Sequence, residues 1–278
     1  MNWIVARKKL SENLIKIDIS APEIALASKP GNHVVIKIQN DSELFPMVIS
    51  KVNKQRGIIS LYVHTLGALQ QKLGSMAVGD ELFGLSGPCG NSIMSEKVGT
   101  VVCAAGGVGI APLYPIVAAM KEAGNKVVVI LGARSAEYLI LEEEMRRIAD
   151  EIIVMTDDGS RGREGMVTEG MHEIFSREKV DLVVTYGPVK MIKHSSTITH
   201  MFNIPIIATL YSMNVDGRGN NGIYRVSVCG KSNYVSVDGI DFNAYYPNFD
   251  TMIKRMEGRL NDDYAGNQSY SKLQFAQY

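Results

Sequence analysis

From Gly99 onward the chain alternates near-continuous apolar runs with amphipathic ones, and this rhythm constrains the fold more than any other feature of the sequence. TVVCAA (100–105), KVVVILGA (126–133), EIIVMT (151–156), VDLVVTYG (180–187) and PIIATL (205–210) have the apolar continuity of strands buried on both faces. Between them, LYPIVAAMKEAG (113–124), ILEEEMRRIA (140–149), EGMHEIFS (169–176) and PVKMIKHSSTIT (188–199) carry the spacing of amphipathic helices. Strands alternating with helices demand right-handed crossovers, so residues 99–210 are predicted to form a doubly wound parallel α/β sheet of the nucleotide-binding type.

The first 98 residues read differently. LIKIDIS (14–20), HVVIKIQ (33–39), PMVISKV (46–52) and IISLYVH (58–64) are short strands punctuated by Pro30-Gly31, Asn40-Asp41 and Gly57. LGALQQKLGSM (66–76) is predicted as a helix, followed by GDELFGLSG returning to a strand. Closely spaced strands of this kind predict a small antiparallel β-barrel or sandwich. Residues 211–258, rich in Gly, Asn and Asp, form a separate small segment ending in a predicted helix, FDTMIKRMEGRL. Residues 259–278 lack apolar periodicity and are expected to form a flexible tail.

Composition removes several function classes. With 29 basic and 29 acidic side chains, the chain has neither the footprint of a nucleic-acid binder nor the bias that draws a protein to anionic membranes. No apolar run is long enough to span a bilayer or to form the core of a secretory signal. The three cysteines, Cys89, Cys103 and Cys229, are too few and too scattered for a disulfide framework. A cytoplasmic protein is the expectation. The five histidines show no metal-ligand spacing, and Cys103 reads as a small core hydrophobe.

The candidate site lies where the predicted strands end. Gly106, Gly107 and Gly109, with Val108 between them, join the first parallel strand to its helix. Glycines there let the backbone approach a ligand, and amides at a helix N-terminus attract a pyrophosphate. Gly132-Ala133-Arg134, Thr156-Asp157-Asp158-Gly159-Ser160 and Tyr186-Gly187-Pro188 end three other strands on the same carboxyl edge. Asp157 and Asp158 suit contact with a nucleotide, or loop capping, better than a metal pair.

GGVGIAPLYPI (106–116), GARSAEYLILEEEM (132–145), TDDGSRGREGMVTE (156–169) and YGPVKMI (186–192) together resemble the ferredoxin–NADP reductase superfamily. Within it, the resemblance is strongest to the small, electron-transfer subunits of NADH-dependent ferredoxin–NADP oxidoreductases and of dihydroorotate dehydrogenases. It runs from PGNHVVIKI to VDGIDFNAYYPNFD. The resemblance implies an FAD-binding barrel, a nicotinamide-nucleotide domain, a C-terminal [2Fe-2S] segment and a larger flavoprotein partner. The nucleotide would lie against Gly106, Gly107, Val108, Gly109, Gly132, Arg134, Asp157, Asp158, Gly159, Gly187 and Pro188. NAD(H) is favoured, while Arg134, Ser135 and Arg161 leave NADP(H) open. FAD would lie against Pro46, Ile49, Ser50 and Gly67.

Two parts of that pattern are altered. Relatives carry an arginine at the position of Leu44 and a threonine at that of Val48, and polar residues where Leu69 stands. Losing three polar contacts to a charged cofactor costs on the order of 4–9 kcal/mol, or roughly three to six powers of ten in affinity, so FAD binding is expected to be lost or greatly weakened. The resembling cluster ligands are one aspartate, matching Asp216, and three cysteines, whose positions fall on Asn221, Tyr224 and Ser236. Cys229 falls on a family glycine. Iron of such clusters needs thiolates, so no [2Fe-2S] cluster is expected. The sequence therefore supports an NAD(P)(H)-binding electron-transfer subunit, with a redox-silent NAD(H)-binding regulatory or scaffold paralogue as the alternative. No side chain is expected to act as acid or base, because the cofactors carry the hydride chemistry.

Overall fold

The computed structural model describes residues 2–65, 67–90, 92–93 and 95–210, and the backbone of strands 225–228, 231–234 and 241–243. The first strands are β1 (Ile4–Ser11), β2 (Leu14–Ser20), β3 (His33–Lys37), β4 (Phe45–Val48), β5 (Lys51–Asn53), β6 (Ile58–His64) and β7 (Gly84–Cys89). They form two antiparallel sheets, β1-β2-β6-β5 and β4-β3-β7, around one core. In LIKIDIS the period is two: Ile15, Ile17 and Ile19 enter that core, while Lys16 and Asp18 pair with each other outside it. The barrel or sandwich predicted from the alternation is thus present as two antiparallel sheets packed around one core.

The run 46–52, predicted as one strand, is two. β4 pairs with β3, β5 pairs with β6, and Ile49-Ser50 carries the chain from one sheet to the other. Met47 and Ile49 point into the barrel core, while Val48 packs into the core of the parallel sheet. A corner strand buried on both sides reads as continuous apolar sequence, which hid the break. Helix α1 (Pro22–Ala27) had no sequence signal strong enough to announce it. Helix α2 (Ala68–Ser75) falls inside the predicted 66–76.

The large sheet contains β8 (Thr100–Gly106), β9 (Lys126–Ala133), β10 (Glu151–Thr156), β11 (Arg163–Glu164), β12 (Leu182–Gly187) and β13 (Ile206–Leu210). β14 (Arg225–Val228) and β15 (Lys231–Tyr234) form a separate hairpin, and β16 (Asp241–Asn243) joins the large sheet. Its order is β11-β10-β9-β8-β12-β13-β16; the first six strands are parallel and β16 is an antiparallel edge. β8 alternates Val101, Cys103 and Ala105 toward one face with Val102 and Ala104 toward the other. Helices α3 (Ile110–Glu122) and α4 (Glu142–Arg146) cover the first face; α5 (Val167–Arg177) and α6 (Val189–Met201) cover the second. The sheet is doubly wound, as the alternation predicts, and Cys103 is a core residue.

Helix α3 begins three residues earlier than predicted, straight from the glycine turn. Pro112 sits in the first turn, where helix amides have no intrahelical partner, so it removes no bond. The chain winds outward from β8 through β9 to β10, then returns to place β12 on the other side of β8. The strand order therefore reverses between β8 and β12, and that crevice, at the carboxyl ends, is where ligands bind in such sheets.

Candidate nucleotide site

Gly106 ends β8, Gly107–Gly109 form one 3-10 turn, and α3 follows without a side-chain cap. Uncapped amides at the start of a 13-residue helix carry partial positive charge toward the crevice. The glycines here do different work. A Cβ on Gly109 would stand 2.7 Å from the Tyr186 carbonyl oxygen, one on Gly132 2.2 Å from Val167 Cγ2, and one on Gly187 2.6 Å from Met191 Cε. One on Gly106 would stand 2.8 Å from Met191 Sδ. Those four serve close packing of helix on strand. Gly107 is the exception: its φ is +57° and a Cβ there would meet nothing within 4 Å. It needs glycine for its backbone conformation, and it faces open space.

The ends of β9 and β10 are tied together. Asp157 N donates to Ala133 O at 3.0 Å and Asp158 N to Arg134 O at 3.2 Å. Ser160 donates both its amide and its hydroxyl to Asp158 Oδ1, at 2.9 and 2.6 Å, and its hydroxyl oxygen accepts from Ala136 N at 2.8 Å. These bonds hold the Asp158 carboxyl below the usual range, so it is ionised and exposed. Asp157 moves the other way, raised by burial, with Arg134 opposing the shift and Asp158 adding to it. Gly159, at φ +69°, makes the turn between Asp158 and Ser160.

The arginines divide as well. Arg161 is clamped by Glu142, with Nε and Nη2 donating to the two carboxylate oxygens at 3.2 and 3.0 Å. Glu142 also accepts from Arg146 at 2.7 Å, and the two arginines outweigh burial to hold its carboxyl ionised. Arg134 reaches the barrel side: His64, at the end of β6, is pushed down by burial and then by the Arg134 charge. Pro188 precedes the first residue of α6 in extended conformation, and Met191 one turn on covers both Gly106 and Gly187.

Across the seam lie the residues assigned to a flavin. Pro46 and Ser50 are buried, Ile49 turns its side chain into the barrel core, and Gly67 precedes α2 with the Gln70 amide folded over it. Leu44 is exposed, Leu69 packs on the barrel core and Val48 is buried. None of the three aliphatic side chains offers a donor. One buried group does: His33 is 0% exposed and neither ring nitrogen has a hydrogen-bond partner. Sequence reasoning passed over it, because a histidine in an alternating strand looks like any other barrel residue; only its register reveals it. Asp216, Asn221, Tyr224, Cys229, Ser236 and the predicted helix 249–260 lie outside the described residues. Among the described residues, no helix is long and apolar enough to cross a membrane.

Residues 104–197 match the oxidoreductase NAD-binding domain family. The dihydroorotate dehydrogenase B (NAD(+)) electron transfer subunit homolog of Thermotoga maritima is 35% identical over 256 residues, covering 92% of this chain and 90% of the relative. A structure from work on flavin-based electron bifurcation by NADH-dependent reduced ferredoxin–NADP oxidoreductase superposes with a TM-score of 0.86 at 33% identity, over 98% of both chains. A ferredoxin NADP+ reductase from Neisseria gonorrhoeae with bound FAD and NADP shares the fold, with a TM-score of 0.58 at 14% identity, over 75% of this chain and 97% of its own.

Proposed function

The chain belongs to the family of dihydroorotate dehydrogenase B-type electron-transfer subunits within the ferredoxin–NADP reductase superfamily, and from that premise we propose that it binds NAD(H) across the carboxyl edge of its parallel sheet and passes reducing equivalents to a larger flavoprotein partner. The carrying observation is Gly107, left-handed and open at the uncapped start of α3 where the strand order reverses. The pyrophosphate lies over the amides of Gly107, Val108 and Gly109. Neighbouring strands are about 4.8 Å apart, so Asp158, at the end of β10 two strands away, stands roughly 10 Å from there, within reach of the adenosine ribose.

Two features favour NAD(H) over NADP(H). Asp158 is held ionised by Ser160 and repels a 2′-phosphate. Arg161, the guanidinium that would welcome one, already answers to Glu142. A bidentate pair of this kind is geometrically specific and is not given up cheaply.

Leu44, Val48 and Leu69 offer a flavin no side-chain donor, and Pro46, Val48 and Ser50 are buried within the fold. A flavin on this side would draw on the uncapped amides at the start of α2. FAD supplies hydride acceptance from NADH and release of electrons singly. This chain's residues bind and orient: the glycine turn fixes the pyrophosphate, Asp158 the ribose, and Pro46 and Val48 keep water from the seam. The second reading, a redox-silent NAD(H)-binding paralogue, draws on Val48, whose burial in the sheet core leaves a dry surface where relatives carry a hydroxyl.

Calorimetry with NADH and NADPH on the full chain tests the reading. The expected result is one NADH site per chain and at least tenfold weaker NADPH. No heat with either nucleotide refutes it. Dye reduction by NADH with FAD added then separates the electron-transfer subunit from the silent paralogue.

A further inference from the structure

The face on which a flavin would lie can be traced by strand register. Pro46 and Val48 of β4 stand opposite Val35 and His33 of β3, and His33 stands opposite Cys89 of β7. The alternate residues Val34, Ile36, Phe45 and Met47 point into the barrel core, so Pro46, Val48, Val35 and His33 share the outer face. That face is turned toward the parallel sheet, because Val48 belongs to the core that α5 and α6 cover.

A flavin needs a flat slot with polar groups along its edge, and this face provides neither. Val48 is 6% exposed, Ser50 1% and His33 0%, and Pro46 is buried as well, all of them covered by the chain's own residues. The unpaired His33 nitrogens are enclosed by the same packing and present nothing to a ligand. Leu44 is exposed and Leu69 packs on the barrel core, and neither carries a donor. At the start of α2, where a phosphate would approach, the Gln70 side-chain oxygen already stands over Gly67. That oxygen is an acceptor, and an anionic phosphate needs a donor.

We infer that this chain holds no flavin of its own: the surface that would carry one is packed into the core shared by the barrel and the parallel sheet, and the acceptor of reducing equivalents from NADH belongs to the partner. The inference deepens the NAD(H) reading above and rests on it for the partner's role alone. Admitting a three-ring system beside β4 would strip Val48 from its core, and a buried valine is worth about ten- to a hundredfold in affinity. This penalty is separate from the missing donors, so restoring them does not open the slot. The barrel keeps a use without a flavin, since Val48 on one face and Leu14 and Tyr62 on the other complete the two cores of the sheet.

The test has two parts, both on the full chain. In the first, FAD and FMN are titrated by fluorescence quenching, with NADH titrated by calorimetry on the same sample. At about 100 µM flavin, fewer than about one chain in ten is expected to be occupied, a Kd weaker than about 1 mM. Leu44→Arg combined with Leu69→Ser restores donors and leaves the slot closed, and is expected to stay within about threefold of wild type. In the second part, Val48→Thr is melted with no flavin added. A hydroxyl set into a packed apolar seam has no partner, so the melting temperature is expected to fall by about 3–8 °C. One FAD bound per wild-type chain overturns the inference and leaves the nucleotide reading standing. Stoichiometric FAD binding by the donor-restored variant overturns it as well, since missing donors alone would then account for the loss. So does an unchanged melting temperature in Val48→Thr, the mark of a face open to solvent. A folded chain that binds neither flavin nor NADH keeps the seam closed and defeats the nucleotide reading instead.

Discussion

Replacing Gly107 with alanine separates ligand binding from folding in a way no other glycine of the site allows. An L-residue at φ +57° costs about 1–2 kcal/mol, of which the stiffer unfolded chain returns about 0.4–1. Because the new Cβ meets nothing within 4 Å, no packing term is added. The net loss of about 0.5–1 kcal/mol lowers the melting temperature by about 1–4 °C. Binding suffers far more. The methyl group occupies the space through which the amides of the turn reach a pyrophosphate, and one or two charge-assisted hydrogen bonds are worth about 3 kcal/mol together, or about a hundredfold in Kd for NADH. Gly109→Ala is the control: its Cβ lies 2.7 Å from the Tyr186 carbonyl oxygen, backbone that cannot step aside, so it destabilises the fold by about 1–3 kcal/mol. Calorimetry with NADH and thermal melts on both variants decide the matter. If Gly107→Ala binds NADH within threefold of wild type, the turn does not hold the nucleotide.

Two further outcomes follow from the charges. Glu142→Gln removes the negative charge that clamps Arg161 and is expected to improve NADPH binding relative to NADH by about tenfold; an unchanged Kd ratio would show that Arg161 lies out of reach of the ribose. The folded-state pKa of His33, about 4, lies below the unfolded 6.5, so between those values the unfolded chain binds more protons and stability falls as pH drops. Denaturant titrations from pH 7 to pH 4 should show a loss of about 3 kcal/mol that His33→Phe removes; an equal slope in the variant would assign the acid sensitivity to other groups.

Periodicity made the parallel sheet legible, because KVVVILGA and EIIVMT leave a strand buried on both faces as the one arrangement that satisfies them. It misplaced boundaries where one residue served two ends. The run 46–52 looks like one strand because its residues up to Ser50 are buried while the chain changes sheets. Helix α4 stops at Arg146, short of the predicted Ala149, although the apolar spacing continues. At the site, sequence located all four loops but could not say which glycine serves which purpose. A glycine states only that Cβ is missing; whether the gap is filled by Tyr186, Val167 or Met191, or left open as at Gly107, depends on residues up to 85 positions away. The same holds for Arg161, whose partner Glu142 lies 19 residues back, and for His33, whose isolation is a property of strand register.

The barrel and the parallel sheet share side chains to a degree that bears on how electrons and nucleotide meet. Val48 packs into the core on one face of the sheet; Leu14 and Tyr62 of the barrel pack into the core on the other. Lys51 adds a polar stitch, 3.2 Å from Glu144 and 4.8 Å above the Tyr114 ring. Interfaces between domains of one chain are usually polar and permit relative motion, whereas this one is built like a core. A crevice with walls so joined presents the glycine turn after β8 and the corner at Ile49-Ser50 at a fixed separation. The two units should therefore melt as one. Tyr62→Ala empties a buried aromatic site, at a cost of about 3–5 kcal/mol, and should lower a single calorimetric transition by roughly 10 °C. Two resolved transitions, with only the lower one moved by the substitution, would show that the seam is a hinge and that the spacing between the sites is set by something other than the shared core.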